Sequence, residues 1–379
     1  HLQDALDQAN GSPGAFEIRV AEGIYRPTVD SDGDHTTDPT ETFAIERDSI
    51  QVVGGYPGGG GTPDPQVHRT VLSGDIDGDD ATNTDGVTEV TENIKGVNSA
   101  HVLTFQASAR IRGVVITGGQ ANAQNTSDKF GGGVNILGAT PTFVRTEIVG
   151  NYAENDGGGV YIERGSPTFI EAVIAGNAAR SGGGMYSIGN LGAANPTLVN
   201  VTFAGNRAGT GGGMQATASL GDSSPVLINV VFTGNRATAG SGGGLHTTGV
   251  NDGANASTLA GVSFAGNAAT GNGGALYNNS SGTGTNDLQV VNSVFWGNRS
   301  DTDDSDARNS GDSIYNQGSD TELTIGAALL EGGISAVGNN FGASTVKRGS
   351  IVTADPQFAD ANGPDGTAGT PDDDLRLQG

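Results

Sequence analysis

The chain has 379 residues, with 42 acidic side chains against 18 Lys and Arg and a formal net charge of −24. Such a surface repels nucleic acid, anionic lipid and polyuronate chains, which excludes them as partners. Cys is absent, so no disulfide or thiolate site exists, and no stretch is long and apolar enough to cross a bilayer as a helix, so no membrane insertion is expected.

In chain order, residues 1–12 read as a short cap helix with Leu2, Ala5 and Leu6 on one face. A helix there plugs the open end of a strand stack and blocks edge pairing. Residues 13–130 read as irregular coils. Phe16 to Ala21 is the first strand, followed by apolar runs at 42–45, 50–53, 70–72, 101–105 and 111–117. Long polar loops separate them at 27–41, 57–69 and 76–99. Loops of that length usually carry function.

Residues 131–300 repeat one pattern six times: a glycine cluster, an aliphatic strand start, a loop, an apolar strand and the pair Gly-Asn. The clusters begin at Gly131, Gly157, Gly182, Gly211, Gly242 and Gly273, and the repeats close on Asn151, Asn177, Asn206, Asn235, Asn267 and Asn298. The period runs from 25 residues (Gly157 to Gly182) to 32 (Asn235 to Asn267). A unit this short cannot bury its own apolar face and must stack on its neighbours. Residues 301–379 read as acidic C-terminal coils with weaker strands near 323–325 and 351–352, an incomplete end and no capping element. His1 is not an initiator methionine, so a processed or trimmed chain is expected.

Glycine runs exclude a helical repeat, and the apolar pattern alternates with period two. The expected fold is therefore all-β: one parallel β-helix domain over 1–379, with coils about 4.8 Å apart. Its interior is predicted as vertical stacks. One holds Val134, Val160, Met185, Met214, Leu245 and Leu276, and another holds Ile148, Ile174, Phe203, Phe232, Phe264 and Phe295. The six closing asparagines are predicted to form a buried structural ladder that satisfies turn amides, with Asn200, Asn229 and Asn292 as a second line.

The Gly-Gly-x-aliphatic openings and Phe-x-Gly-Asn closings (Phe203 to Asn206, Phe232 to Asn235, Phe264 to Asn267) resemble right-handed parallel β-helix repeats of bacterial surface proteins. They are similar to the repeats of the chlamydial polymorphic outer-membrane proteins. The stretches 2–6, 20–25, 355–358 and 372–377 resemble secreted β-helix proteins. In those relatives a Ser-Pro-Ala-Ile-Asp segment follows the last leucine, and here it is missing. The resemblance implies a right-handed helix and a secreted or cell-surface location in a bacterium. It is poor for activity, since such proteins include adhesins, structural proteins and carbohydrate-active enzymes.

Three acidic runs are candidate calcium sites: Asp30, Asp32 and Asp34; Asp75, Asp77, Asp79 and Asp80; and Asp360, Asn362 and Asp365 with Asp372, Asp373 and Asp374. Calcium takes about six to eight oxygens, and alternating carboxylates with a glycine turn supply several from one loop. Calcium is the one cofactor expected. Beside the inner stack, alternation places Asn135, Tyr161, Tyr186, Gln215, His246 and Tyr277 on the solvent face of one sheet. Such a ladder either stacks on sugar rings or stabilises its own sheet. No catalytic set stands out among Lys95, Lys129 and Lys347 or among Glu147, Asp156, Glu163 and Glu171. The function expected is a structural or adhesive extracellular protein, assembling end to end or binding glycan or a cell surface. The alternative is a carbohydrate-active enzyme or glycan-binding protein working along the ladder.

Overall fold

Residues 1–27, 38–122, 129–300, 313–339 and 345–377 are described in a computed structural model of the protein. They form a right-handed parallel β-helix. Each regular coil begins on a strand such as Val160–Glu163 and turns into a two-legged face, Thr168–Ile170 and Val173–Ala175. It closes on a short strand, Ala178–Ser181. Successive coils pair in parallel and in register: Val134 on Val160, Met185, Met214, Leu245 and Leu276, and Ile148 on Ile174, Phe203, Phe232 and Phe264. Both predicted stacks are fully buried. Rings in the second lie 4.8 Å apart and nearly parallel from Phe203 to Phe295. That is the coil pitch itself, so a like side chain above and below fills the narrow interior without voids.

The corner between the two legs needs a left-handed residue. Arg145, Glu171, Asn200, Asn229 and Asn292 hold φ between 51° and 55°, and Gly261 takes the same corner. Asn and Gly adopt that region most readily. At the two corners that lack them, Arg145 and Glu171 compensate with an ion pair across the coils at 2.6 Å. The 323–325 and 351–352 segments differ from expectation. They lie in two of the longest strands, Thr321–Leu330 and Thr345–Val352. No left-handed residue interrupts them, so the two legs run together.

The closing asparagines form a continuous chain of hydrogen bonds. The Asn177 backbone N–H and Nδ2 both donate to Oδ1 of Asn206, at 3.1 and 3.0 Å, while Nδ2 also donates to the Ile148 carbonyl at 2.9 Å. The same set recurs at each step from Asn151 to Asn298. Above the first asparagine, Gly119 donates its N–H to Oδ1 of Asn151. The triple glycines are equally local in cause. A Cβ on Gly183 would stand 2.5 Å from the Arg207 carbonyl oxygen, and one on Gly184 2.6 Å from that of Gly213.

The N-terminal helix Leu2–Gly11 lies on the first coil with Leu2, Leu6 and Ala9 buried, and its first turn is closed by a capping box between His1 and Asp4. Asn206→Ala removes an acceptor serving two donors and strands the Ile174 carbonyl. It is expected to cost about 3 kcal/mol in urea unfolding, with the same sign and a similar size for Gly183→Ala.

Candidate functional site

The outward ladder occupies the register its alternation predicts. Asn135, Tyr161 and Tyr186 pair across three coils, followed by Gln215, His246 and Tyr277. It is not a solvent face, however. Tyr161, Tyr186, Gln215 and Tyr277 are between 7 and 9 % exposed. The segment that opens each coil folds back over the ladder. Phe130 covers Tyr161 with ring centroids 4.9 Å apart, Thr210 donates its hydroxyl to Gln215 at 2.8 Å, and the first glycine of each cluster lies against the ladder backbone. The first glycine is required there: Gly182 has φ 58°, and a Cβ would sit 2.9 Å from Cβ of Tyr186. The ladder is therefore a second, outer core: Tyr161, Tyr186, Gln215 and Tyr277 are buried and His246 is half-buried, which leaves no open row of rings for a sugar.

Its electrostatics follow from that burial. Desolvation pushes the Tyr161 phenol well above its ordinary range and Tyr186 up to about 12. Tyr161 stacks on Tyr186 at 5.9 Å, and Tyr277 stacks on Tyr315 at 6.0 Å. Tyr277 donates its hydroxyl to Gln317 at 2.8 Å. His246 packs edge-on against Tyr277, 4.8 Å between centroids. Both its ring nitrogens are buried without a hydrogen-bond partner, and burial holds its pKa down at about 4. Asp156, in the opening segment itself, is pushed up by burial.

Of the three acidic runs, the first, Asp30, Asp32 and Asp34, lies outside the described residues. In the second, carboxylate oxygens of Asp75, Asp79 and Asp80 come within 4.8 Å of one another, the single such group among the described residues. The loop is built around them. Asp75 is 1 % exposed, and its Oδ1 accepts from the backbone of Gly78 and Asp79. Arg26 reaches the same residue, donating to its carbonyl and, at 3.4 Å, to its carboxylate. Asp80 accepts from Lys95 N–H at 2.6 Å, from Thr88 and from Asn98. Asp77 accepts from Val97 N–H and faces Asp79 across Gly96. Burial raises the pKa of both Asp79 and Asp80, and the carboxylates of Asp77 and Asp75 raise Asp79 further. Three carboxylates thus gather within 4.8 Å, and Arg26 and the donors to Asp80 offset only part of their mutual repulsion and desolvation. That donor chemistry fits a hard divalent cation.

The third run is drawn into the C-terminal hairpin instead. Asp372 accepts from Asp365 N–H and from the Thr370 hydroxyl, which holds its carboxyl below the ordinary range. Asp360 accepts from Asn362 N–H, capping its own turn. Asp373 turns away to accept from Thr233 at 2.9 Å, and burial raises its pKa. Asp360, Asp365, Asp372 and Asp373 do not converge as one group. Arg26, Thr88 and Asn98, which shape the second run, carry no sequence signal. They lie 49, 8 and 18 residues from the aspartates they serve.

Two regular stretches, 229–248 and 261–279, match the Chlamydia polymorphic membrane protein repeat. The chain is a parallel β-helix protein with repeats of that kind. Each matched stretch begins near the left-handed corner, passes a Phe-x-Gly-Asn closing and a glycine cluster, and ends in the strand carrying His246 or Tyr277. The matched stretches therefore contain residues of the asparagine ladder and of the outer core. No curated protein and no solved structure matches the chain.

The unfolded imidazole of His246 takes a proton near 6.5 and the folded one near 4, so between these values the unfolded state binds more protons. Stability should fall as pH is lowered from about 6.5 to about 4, by an amount on the order of 3 kcal/mol from this residue. His246→Phe removes two unpartnered buried atoms and continues the aromatic ladder. It should gain about 1 kcal/mol at pH 7 and flatten that pH dependence in urea titrations.

Proposed function

We propose that the chain is a bacterial surface-displayed β-helix with a structural and adhesive role, presenting its lateral faces to extracellular glycan, a cell surface or further copies of itself. The observation that carries this reading is the repeat, shared with a family of polymorphic membrane proteins and here stacked in register over the regular coils. A stack with one pitch presents the same lateral features again at every coil, which suits multivalent contact. The net charge of −24 favours neutral or cationic partners. Burial of the tyrosine ladder counts against the alternative of a glycan-processing groove along it. Purified protein is expected to be retained on immobilised glycan or cell-surface material, or to form ordered assemblies in electron micrographs. Dispersed rods that bind neither overturn the reading.

We further propose calcium at Asp75, Asp79 and Asp80, with Asp77 beside them. A divalent ion there offsets the burial, and the neighbouring carboxylates, that raise Asp79 and Asp80, and it ties the 76–99 loop to its coil. Saturation at a hundredfold excess over Kd should stabilise the fold by about 2.7 kcal/mol. The gain should vanish in a chelator and in Asp80→Asn. An unchanged melting temperature in millimolar calcium removes the ion from the proposal.

A further inference from the structure

The side of the solenoid carries a groove of about 640 Å³ that neither the repeat nor the acidic cluster accounts for. Its floor is the outer surface of the second-leg strands, where Val149, Val173 and Ala175 face outward while Ile148 and Ile174 face the interior. Its two walls come from distant parts of the chain. Val87, Glu89 and Val90 of the 76–99 loop form one wall, and the C-terminal hairpin residues Asp365 and Gly369 to Asp372 form the other.

Both walls are seated on the glycine corners of successive coils. The loop sits on Gly150 and Gly176, where a Cβ would meet the Thr88 and Glu89 carbonyl oxygens at 1.9 and 2.2 Å. Thr117 donates its hydroxyl to the same Thr88 carbonyl. The hairpin sits on Gly234, where a Cβ would stand 2.5 Å from Cα of Gly369. It is pinned there by the bond from Thr233 to Asp373. Between the two seats the exposed corner Gly205 is left open.

The chemistry of the groove is one-sided. Arg69, its one cation, is held by Glu147 through two bonds of 2.6 and 2.7 Å. Glu89 on one rim and Asp365 and Asp372 on the other have no ion pair with a described residue. Glu89 is exposed and accepts from the Asn83 amide, and Asp365 accepts from Thr367 N–H and the Thr370 hydroxyl. The floor offers no backbone pairing, because its strands are already paired on both edges within the sheet. It offers no aromatic ring for a sugar either. What remains is an apolar strip with one carboxylate, Glu89, on one side and two, Asp365 and Asp372, on the other.

We propose that this groove docks an extended lysine- or arginine-bearing segment of a partner protein. The aliphatic stems lie on Val149, Val173 and Ala175, and the cationic heads reach Glu89 on one side and Asp365 and Asp372 on the other. Long basic side chains divide in this way between apolar and charged surfaces. The surrounding negative potential speeds their arrival. The proposal deepens the adhesive reading and rests on it.

The test is fluorescence anisotropy of a labelled ten-residue alternating Lys-Ala peptide against the whole chain in chelator. An acetyl-lysine peptide and spermidine serve as comparison ligands. Binding is expected for the lysine peptide, falling with salt, and is not expected for the acetylated one. Val173→Arg should weaken it at least tenfold by occupying the floor with a cation. Glu89→Gln with Asp365→Asn, both exposed, should weaken it about tenfold and reduce the salt dependence. The exposed pair of changes carries the test if Val173→Arg loses its β-sheet circular dichroism. Unchanged affinity in the folded variants would assign the binding to diffuse surface charge and overturn the groove. Spermidine binding without peptide binding would overturn the protein partner. No binding by the peptide overturns the proposal while retention on glycan or cell-surface material, measured separately, still stands or falls for the adhesive reading.

Discussion

The asparagine ladder is the interaction on which the rest of the fold depends. Each buried amide receives two donors from the coil on one side and gives its own donor to a carbonyl there, so it leaves no orphan at a corner the solvent cannot reach. Turn amides in the interior of a β-helix have no strand partner, and an unsatisfied one costs roughly 1–3 kcal/mol. An amide side chain is the right size to supply donor and acceptor at once, and repeating it at the coil pitch makes every link support the next. The phenylalanine stack three residues earlier inherits its 4.8 Å spacing from the same register.

From that register follows the need for glycine. Holding the coil corners at one pitch brings the Gly183 and Gly184 backbones against the carbonyls of the following coil, leaving no room for Cβ. The opening segment can then fold flat over the strand it precedes. This turns Tyr161, Tyr186 and Tyr277 into buried ladder members and removes water from both nitrogens of His246. The protein thus has two cores stacked in register, one of like apolar residues inside the coil and one of mixed aromatic and amide side chains beneath its opening segments.

The lateral face beyond those cores is where the molecule becomes individual. The 76–99 loop and the C-terminal hairpin each settle on glycine corners because those corners lack side chains to hold them away. Both bring carboxylates: Asp75 to Asp80 gathered beneath the loop, and Glu89, Asp365 and Asp372 along the groove. In a chain with a net charge of −24 these are the places where a cation, free or carried on a partner, meets the most complementary surface.

The fold class and the inner stacks were legible in the residues alone, because every coil meets the same environment and so repeats the same residues. Gly-Asn at each closing and Val, Met or Leu after each glycine cluster are legible for that reason. Period-two alternation also placed Tyr161 and Tyr277 outside the coil, but it carries no information on what lies above them. Their burial was decided by the opening segment folding back, a tertiary event. The same holds for Arg26 beside Asp75, for Thr233 beside Asp373 across 140 residues, and for the two walls of the groove. Those contacts occur once, between segments with no shared period, and only the three-dimensional winding of the chain brings them together.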